Sequence, residues 1–279
     1  MPLLNPGESI VIRTRHQSSG LRNMLLKDKT GVILGVANKR SIAWHIAQAA
    51  DREGARLILT YQSERFREGL EDLAKGLQTP PVILPCDVTA EGDIDRLMGE
   101  IRNSCGHLDF LVHAIAFAQR EDLAGTFSAT SPGGWDTALR VSAFSLVDLV
   151  HRATPLMEGR NASVITLSYL GSERVVPNYN VMGVAKAALE SSVRYLAADL
   201  GPMGHRVNAV SAGPIKTLAA SGVSGFSGML GKVAERSPMK RNIEGSEVGD
   251  ASLFFLSPLS RGVTGQVLYV DCGYHIMGM

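Results

Sequence analysis

Two tyrosines and one lysine in the middle of the chain have types and a spacing that could support proton-assisted chemistry. The segment Ser168–Ala188 contains Tyr169, Tyr179 and Lys186. Tyr179 and Lys186 are seven positions apart, so a helix beginning near Asn178 would place them two turns apart on one face, separated by roughly 10 Å along its axis. This is too far for a direct hydrogen bond, but both side chains could contact one flat, extended ligand.

The chemistry expected of this pair is hydrogen-bond donation to a developing oxyanion. A phenol has a reference pKa of about 10 and is a poor acid at neutral pH. A nearby ammonium favours the phenolate and so makes the hydroxyl a better donor. The simpler interpretation is two surface aromatics on an ordinary helix, and the spacing alone favours it. The surrounding residues favour the chemical interpretation.

The residues around this pair resemble the enoyl-acyl carrier protein reductases of bacterial fatty-acid synthesis, a branch of the short-chain dehydrogenase/reductase superfamily. The resemblance is carried by SYLG, PNYNVMG and AKA, which are residues 168–171, 177–183 and 185–187. Most of the superfamily has three residues between its catalytic Tyr and Lys, whereas this branch has six, as does the chain between Tyr179 and Lys186. The similarity extends from about Lys29 to Gly273.

Composition excludes several classes of protein. A length of 279 residues suits a single α/β domain, and the net charge of +1 indicates no strong field for nucleic acid or an anionic membrane. We find no apolar run near the ~18 residues that span a bilayer. The three cysteines lack CxxC spacing and the seven histidines form no HxxxH-like pair, so we expect reduced thiols in a cytoplasmic protein and no bound metal.

The elements that must position the site follow from apolar runs alternating with helical stretches. This alternation predicts a doubly wound, seven-stranded parallel sheet of Rossmann type in one domain, residues 29–279, with ligands at the carboxyl ends of the strands. The expected strands lie within 30–36, 55–61, 81–88, 107–117, 161–168, 206–217 and 266–273. Helices are expected between them, including one long helix over 134–157 and one from about 178 to 200.

Residues 1–28 form the least readable part of the sequence. Arg13, Arg15 and several serines give them a weak resemblance to a transit peptide. Met24 stands where related reductases begin. We interpret residues 1–28 as a non-catalytic extension.

The first strand-to-helix turn is the expected phosphate-binding site. A plain GxGxxG is absent, and Gly35 is instead followed after five residues by Ser41, Ile42 and Ala43. Gly35 permits a sharp turn, while the N–H groups at Ser41 and Ile42 could bind a pyrophosphate at the helix start. A glycine turn with a serine cap is the simpler alternative. The same G-x5-S-x-A variant occurs in the enoyl reductase branch and favours the functional interpretation.

The residue after the second strand bears on the choice between NADH and NADPH. A carboxylate there binds the ribose 2′-hydroxyl, and an arginine accepts a 2′-phosphate. The chain has Gln62, which is similar to the NADH-using members, with Arg65 and Arg67 further on. We expect NADH, although Arg65 leaves NADPH as the alternative.

The resemblance implies further contacts with the cofactor and the substrate. Asp87 and Val88 would border the adenine, although Asp87 could also simply cap the following helix. Small residues around Ile115 would let the ribose and nicotinamide lie flat, and His113 is expected to be a structural strand residue. A loop over about residues 218–236 would close over the acyl chain. The remaining implied contacts are Ile215, Thr217 and Ala219 to the cofactor and Ala118, Tyr169 and Tyr179 to the substrate.

The activity implied by the resemblance is NADH-dependent reduction of a trans-2-enoyl thioester on acyl carrier protein, the last step of fatty-acid elongation. Tyr179 would donate to the thioester oxygen, Lys186 would bind the nicotinamide ribose, and Tyr169 would take the place of the superfamily's catalytic serine. A homotetramer is also implied. The alternatives are a related enzyme acting on a ketone or alcohol, and a non-catalytic dinucleotide-binding redox sensor.

Overall fold

A fully parallel sheet of seven strands forms the centre of the protein. The structure, a computed structural model, describes residues 24–218, 220 and 225–278. The strand order is β3-β2-β1-β4-β5-β6-β7. The strands are β1 Thr30–Leu34, β2 Arg56–Tyr61, β3 Val82–Pro85, β4 Phe110–His113, β5 Ser163–Ser168, β6 Arg206–Ala212 and β7 Val267–Val270. This confirms the predicted fold class.

Helices cover both faces of the sheet. They are α1 Ile42–Arg52, α2 Arg67–Ala74, α3 Asp93–Cys105, α4 Arg120–Leu123, α5 Pro132–Leu139, α6 Ser145–Met157, α7 Asn180–Leu200, α8 Phe226–Arg236 and α9 Gly245–Leu256. One apolar core lies on the face of α1 and α9 and includes Ile46 and Phe255. The other lies on the face of α3, α6 and α7 and includes Leu149 and Leu189.

The central strands are buried along most of their length because helices cover both sides of them. All five residues of β1 are buried. Gly31 in β1 is paired with Phe110 in β4, and a Cβ at this glycine would lie 1.9 Å from the phenylalanine ring. The glycine therefore makes room for the largest side chain of the central strands.

Three helical regions differ from the sequence prediction. The long helix expected over 134–157 is interrupted by a π-helical segment at Arg140–Phe144, between α5 and α6. Much of the loop expected over 218–236 is the helix α8, while residues 219 and 221–224 lie outside the described residues. Helix α9 was not predicted, because its small residues obscure the apolar periodicity.

The packed body begins before the expected domain boundary at residue 29. Leu26 is fully buried in the core beside α1, and its N–H donates to the carbonyl of Glu53 at 2.9 Å. Residues 24–28 therefore belong to the folded body rather than to an extension. Residues 1–23 of the predicted extension lie outside the described residues.

Within residues 24–218, 220 and 225–278, no helix combines the length and the apolar character needed to cross a membrane.

Candidate active site

The tyrosine and lysine residues singled out in the sequence lie at the carboxyl end of β5 and at the start of α7. Tyr169 follows the last residue of β5, and Tyr179 directly precedes α7. Two asparagines with positive φ flank Tyr179, Asn178 at 62° and Asn180 at 31°. Asparagine tolerates this left-handed region better than most residues. The Asn180 side-chain amide donates to the carbonyls of Ala124 and Gly125, both at 3.3 Å, which fixes the helix entry.

The rings of Tyr169 and Tyr179 are in direct contact. Their centroids are 5.0 Å apart with an interplanar angle of 70°, an edge-to-face arrangement. Gly171 makes room for the Tyr179 ring, because a Cβ there would lie 2.5 Å from its Cδ1 atom. The Tyr169 hydroxyl donates to the Met229 sulfur at 3.4 Å, which links β5 to α8. The two phenols therefore form one unit with α8 against it.

Both phenols hold their protons more tightly than a tyrosine in water. Burial raises the pKa of Tyr169 to about 12, with a further contribution from Tyr274 and Asp271. Burial, and then Tyr169, raise the pKa of Tyr179 far above its usual range. The sequence argument that a nearby ammonium favours the phenolate is therefore wrong for Tyr179. The neutral phenol is the form available at neutral pH, and it is a hydrogen-bond donor.

Lys186 is buried in the middle of the site. Its side chain is on α7, two turns after Tyr179, and its ammonium donates to the carbonyl of Leu167 at 2.7 Å. Burial lowers the pKa of Lys186 to about 8, and Glu190 opposes this shift. The ammonium is therefore the main form at neutral pH, and it is directed at the end of β5.

The predicted substrate contact Ala118 and the Tyr179 ring pack against the same apolar cluster. This cluster is formed by Val181, Met182 and Ala185 of α7 together with Leu123 and Ala138. Ala118 and Tyr179 are thus partly buried on one small apolar surface.

The loop between β1 and α1 has the close backbone approach expected of a phosphate-binding turn. Gly35 has a φ of 100°, and a Cβ there would lie 2.1 Å from the carbonyl oxygen of Ala114 after β4. The Ser41 hydroxyl accepts from the N–H groups of Ala37 and Asn38 at 3.1 and 3.0 Å. Ser41 occupies the N-cap position of α1, which begins at Ile42, but its hydroxyl makes no capping hydrogen bond to the helix and holds the preceding loop instead.

Gln62 and Asp87 come together at the ends of β2 and β3. The Gln62 amide donates to an Asp87 carboxylate oxygen at 3.1 Å, and the N–H and hydroxyl of Thr89 donate to the other oxygen at 2.9 and 2.7 Å. Burial tends to raise the pKa of Asp87, but the hydrogen bonds from Thr89 and Gln62 outweigh it and lower the pKa. Asp87 is therefore a carboxylate beside an amide, with Val88 next to it against the sheet core.

Arg65 and Arg67 have partners within their own segment. The Arg65 guanidinium lies 4.5 Å from the centre of the Phe66 ring, and Arg67 forms an ion pair with Glu71 at 2.8 Å. Both guanidinium groups are therefore engaged within the segment, whereas the neutral Gln62 directly follows β2.

Behind Ile115, the strand β4 ends in a fully buried histidine. The two ring nitrogens of His113 lie 2.8 Å from the hydroxyls of Thr166 and Ser145. Burial lowers the pKa of His113 to about 3, with a further contribution from Lys186. The ring is thus neutral and satisfied, as the sequence analysis expected, and Ile115 packs on the core in front of it.

The segment after β6 borders an open pocket of about 450 Å³. Thr217 lines it together with Arg40 and Lys216, and the start of α8 closes the other side. Ile215 packs on the core, and its carbonyl accepts from the N–H of Thr217 at 2.8 Å. Ala219 lies outside the described residues.

Three contributors were missed from the sequence. Met229 was hidden in a stretch interpreted as a loop. Arg40, in the turn between β1 and α1, lines the pocket but carries no motif that marks it in the sequence. Glu190, buried four positions after Lys186, could have been found from the helical spacing alone.

Comparison with known proteins agrees with the geometry. The model of a family described as "Enoyl-(Acyl carrier protein) reductase" matches residues 35–275. The chain belongs to the enoyl-acyl carrier protein reductase family. The NADH-dependent enoyl-acyl carrier protein reductase of Bacillus cereus is 50% identical over 256 residues, 91% of this chain and 99% of its own. That of Nostoc sp. is 51% identical over 257 residues, with the same shares covered.

Solved enoyl-acyl carrier protein reductases share the fold closely. The Bacillus cereus reductase with NADP⁺ and an indole naphthyridinone has a TM-score of 0.89 and 49% identity, covering 91% of this chain and 99% of that one. The Anaplasma phagocytophilum reductase with NAD has a TM-score of 0.88 and 47% identity, covering 92% and 97%. Relatives of this reductase have thus been crystallised with both dinucleotides.

Proposed function

We infer that this protein reduces the carbon–carbon double bond of a trans-2-enoyl thioester carried on acyl carrier protein, with NADH as the reductant. The observation that carries this inference is the Tyr179–Lys186 pair. Six residues separate Tyr179 from Lys186, and the Tyr179 ring packs edge-to-face with Tyr169 at the end of β5. The chain that carries this pair belongs to the reductase family.

The bound cofactor would supply a hydride to the β-carbon of the substrate. The electron pair of the carbon–carbon double bond would then form a double bond between the α-carbon and the carbonyl carbon, as the carbonyl π pair moves onto the thioester oxygen. A proton from solvent, added at the α-carbon of this enolate, would complete the reduction. We propose that Tyr179 donates a hydrogen bond to the thioester oxygen as negative charge develops on it. A phenol with a raised pKa suits this role because it remains protonated until the charge appears. Donors aimed at a developing oxyanion are typically worth a few kcal/mol of transition-state stabilisation.

Lys186 is proposed to hold the nicotinamide ribose and to add positive charge near the reacting oxygen. Its ammonium has three protons to donate, and the carbonyl of Leu167 takes one of them. The others are available for ribose hydroxyls. Its burial excludes water and strengthens the electrostatic effect of the charge.

Tyr169 is proposed to position the substrate rather than to move its proton. Its hydroxyl is directed at Met229 of α8, and its ring packs edge-on against Tyr179. The Ala118 side of the Tyr179 cluster would accept the first carbons of the acyl chain.

The proposed dinucleotide site follows the carboxyl ends of the strands. Because Gly35 has no side chain, the turn after β1 can lie close against Ala114. We propose that a pyrophosphate lies over this turn, at the helix start formed by Ser41 and Ile42. Asp87 and Val88 would border the adenine and Gln62 its ribose. Ile115 would support the nicotinamide half of the cofactor. Ile215, Thr217 and Ala219 would complete the proposed cofactor contacts at the carboxamide.

The partner and assembly proposals rest on family membership. Acyl carrier protein would present the thioester, and we propose a homotetramer in the cytoplasm. The outer face of α6 and α7 supports the tetramer, since it carries Val147, Leu196 and a Tyr195 that is 72% exposed. Light scattering should show that Tyr195→Asp dissociates the assembly while Lys75→Glu, a charge change on the exposed end of α2, does not.

The decisive experiment is NADH oxidation, followed at fixed enzyme concentration with crotonyl and acetoacetyl thioesters of acyl carrier protein. The proposed function predicts turnover of the enoyl thioester and little or none of the β-keto one. Preferential turnover of the ketone would indicate a ketone reductase. NADH binding without turnover of either thioester would indicate a redox sensor.

A further inference from the structure

Glu190 is a buried carboxylate that none of the roles above uses. It is 5% exposed and lies on α7, four positions after Lys186. Residues four apart on a helix share a face. A carboxylate taken out of water is destabilising unless hydrogen bonds or a countercharge compensate it. The partners of Glu190 therefore indicate what it does.

Two serine hydroxyls donate to the same oxygen of Glu190. Ser168, the last residue of β5, donates to Oε1, and so does Ser172 at 2.7 Å. Ser172 ends the single turn Leu170–Ser172 that follows Tyr169. The carboxylate thus joins the residue before Tyr169 to a residue just after it, and the strand end cannot shift without breaking these bonds.

Lys186 holds the same strand end from the same helix. Its ammonium donates to the carbonyl of Leu167, the residue before Ser168. Helix α7 therefore contacts the end of β5 at two successive turns, through the ammonium of Lys186 and the carboxylate of Glu190. The position of Tyr169 relative to Lys186 depends on both contacts.

The charge of Glu190 also acts on Lys186. Burial lowers the pKa of Lys186 to about 8, and Glu190 is the group that opposes this. His113 of β4 also faces the lysine but is neutral, since burial lowers its pKa to about 3. Tyr269 of β7 faces Glu190, and burial followed by Glu173 raises the pKa of this phenol, so it is neutral as well. The countercharge for the lysine at neutral pH thus comes from Glu190.

We propose that Glu190 is a positioning residue of the reductase site, which fixes the Tyr169 turn through Ser168 and Ser172 and keeps Lys186 charged for the ribose. This proposal rests on the roles given to Lys186 and Tyr169 under the proposed function. It adds a residue that contacts neither substrate nor cofactor.

The test compares the pH dependence of kcat/KM for NADH in the wild type and in Glu190→Gln. The glutamine keeps an oxygen that can accept from both serines but removes the charge. The wild type should lose efficiency as the pH rises through the pKa of Lys186, near 8. Without the negative charge this pKa falls further, so the alkaline loss should move to lower pH.

Two variants separate charge from position. Glu190→Asp keeps the charge on a shorter side chain and should leave the alkaline loss near the wild-type pH. Ser172→Ala keeps the charge and removes one hydrogen bond to the turn. It should lower kcat with the alkaline loss and the NADH dissociation constant unchanged.

Direct titration of NADH without substrate keeps this inference distinct from the proposed function. Failure of the wild type to reduce the enoyl thioester would reject the function, whereas the titration would still report on Lys186. A wild-type pH profile and NADH affinity in a folded Glu190→Gln would overturn the charge role, and wild-type kcat in Ser172→Ala would overturn the positional one. If Glu190→Gln does not fold, Glu190→Ala also removes the charge, and an alkaline loss at the wild-type pH in that variant equally rejects the charge role.

Discussion

At the scale of single residues, the site contains two different groups: the neutral phenol of Tyr179, which can donate a hydrogen bond, and the charged ammonium of Lys186. Tyr179 and Lys186 are two helical turns apart, yet the ammonium donates to the Leu167 carbonyl while the Tyr179 ring packs edge-to-face with Tyr169. Burial acts on both in the direction of the neutral form. It raises the pKa of the phenol and lowers that of the lysine. The phenol is therefore neutral at neutral pH, while the lysine, with a pKa of about 8, stays mainly charged and Glu190 favours that charge.

The first prediction separates these two roles. Tyr179→Phe removes one hydroxyl and keeps the ring packing, so NADH affinity should survive while kcat falls by up to about a hundredfold. Lys186→Ala should weaken NADH binding as well as slow turnover. The measurement is NADH titration without substrate, paired with steady-state kinetics. An equal loss of NADH affinity in the two variants would show that the division of roles is mistaken.

The second prediction concerns the choice of dinucleotide. With Gln62 bonded to Asp87, and with Arg65 and Arg67 engaged by Phe66 and Glu71, kcat/KM should be higher for NADH than for NADPH. Gln62→Arg should raise the efficiency with NADPH, because a guanidinium can pair with the 2′-phosphate.

Arg67→Ala is the matched control for this choice and should leave the preference unchanged. Equal efficiency of the wild type with both cofactors would contradict the assignment of Gln62. It would indicate that a basic side chain elsewhere in the site reaches the 2′-phosphate.

At the scale of elements, helix α7 and the end of β5 are packed through glycines. A Cβ at Gly183 in α7 would lie 2.7 Å from the carbonyl oxygen of Gly171 in the turn after β5, and a Cβ at Gly171 would meet the Tyr179 ring. The two elements approach so closely that only hydrogen atoms fit between them. This contact sets the distance between Tyr169 and Tyr179.

The third prediction tests that contact. Gly183→Ala should lower both the melting temperature and kcat, because the added methyl group pushes α7 away from the turn. Gly69→Ala in α2 is the matched control, since a Cβ there meets nothing within 4 Å. The control should be neutral or stabilising by up to about 1 kcal/mol, the usual gain for alanine in a helix. Wild-type kcat in Gly183→Ala would mean that the backbone contact does not position the tyrosines.

The elements that the sequence predicted well are those with strong local signals. The strands of the sheet are apolar runs bounded by turn residues, and α7 carries the Tyr179–Lys186 spacing. Helix α8 was missed because Gly225, Gly228 and Gly231 are typical of loops, and its packing on Tyr169 through Met229 is a tertiary contact. The direction of the Tyr179 pKa was missed for a similar reason, because burial cannot be read from spacing.

At the scale of the whole molecule, the site is distributed over the full width of the sheet. The proposed cofactor and substrate residues follow six of the seven strands, from Gly35 after β1 to Thr217 after β6. Only the order in which strands pair brings them to one edge. The residues that matter for stability extend further, to Leu26 before the first strand.

The fourth prediction places the functional start of the chain at Met24. A protein beginning there should keep the melting temperature and turnover of the full chain, because every proposed contact lies after it. Leu26→Ala in the full chain is the contrasting variant. Its buried side chain should cost about 2–5 kcal/mol of unfolding free energy, as other buried leucines do. A large loss of melting temperature on removing residues 1–23 would show that they stabilise the fold.

The buried thiol of Cys86, between β3 and Asp87, has a consequence for following the enzyme in solution. Burial, and then Asp87, raise its pKa to about 12, and it is 4% exposed. Alkylating reagents therefore reach the reactive thiolate only when the carboxyl end of β3, where we propose that adenine binds, opens. The rate of Cys86 alkylation therefore reports how often this part of the fold opens. If dinucleotide binds only the closed form, it should slow Cys86 alkylation by a factor of one plus the ratio of the free dinucleotide concentration to its dissociation constant. The protein thus contains its own unmodified probe of cofactor occupancy.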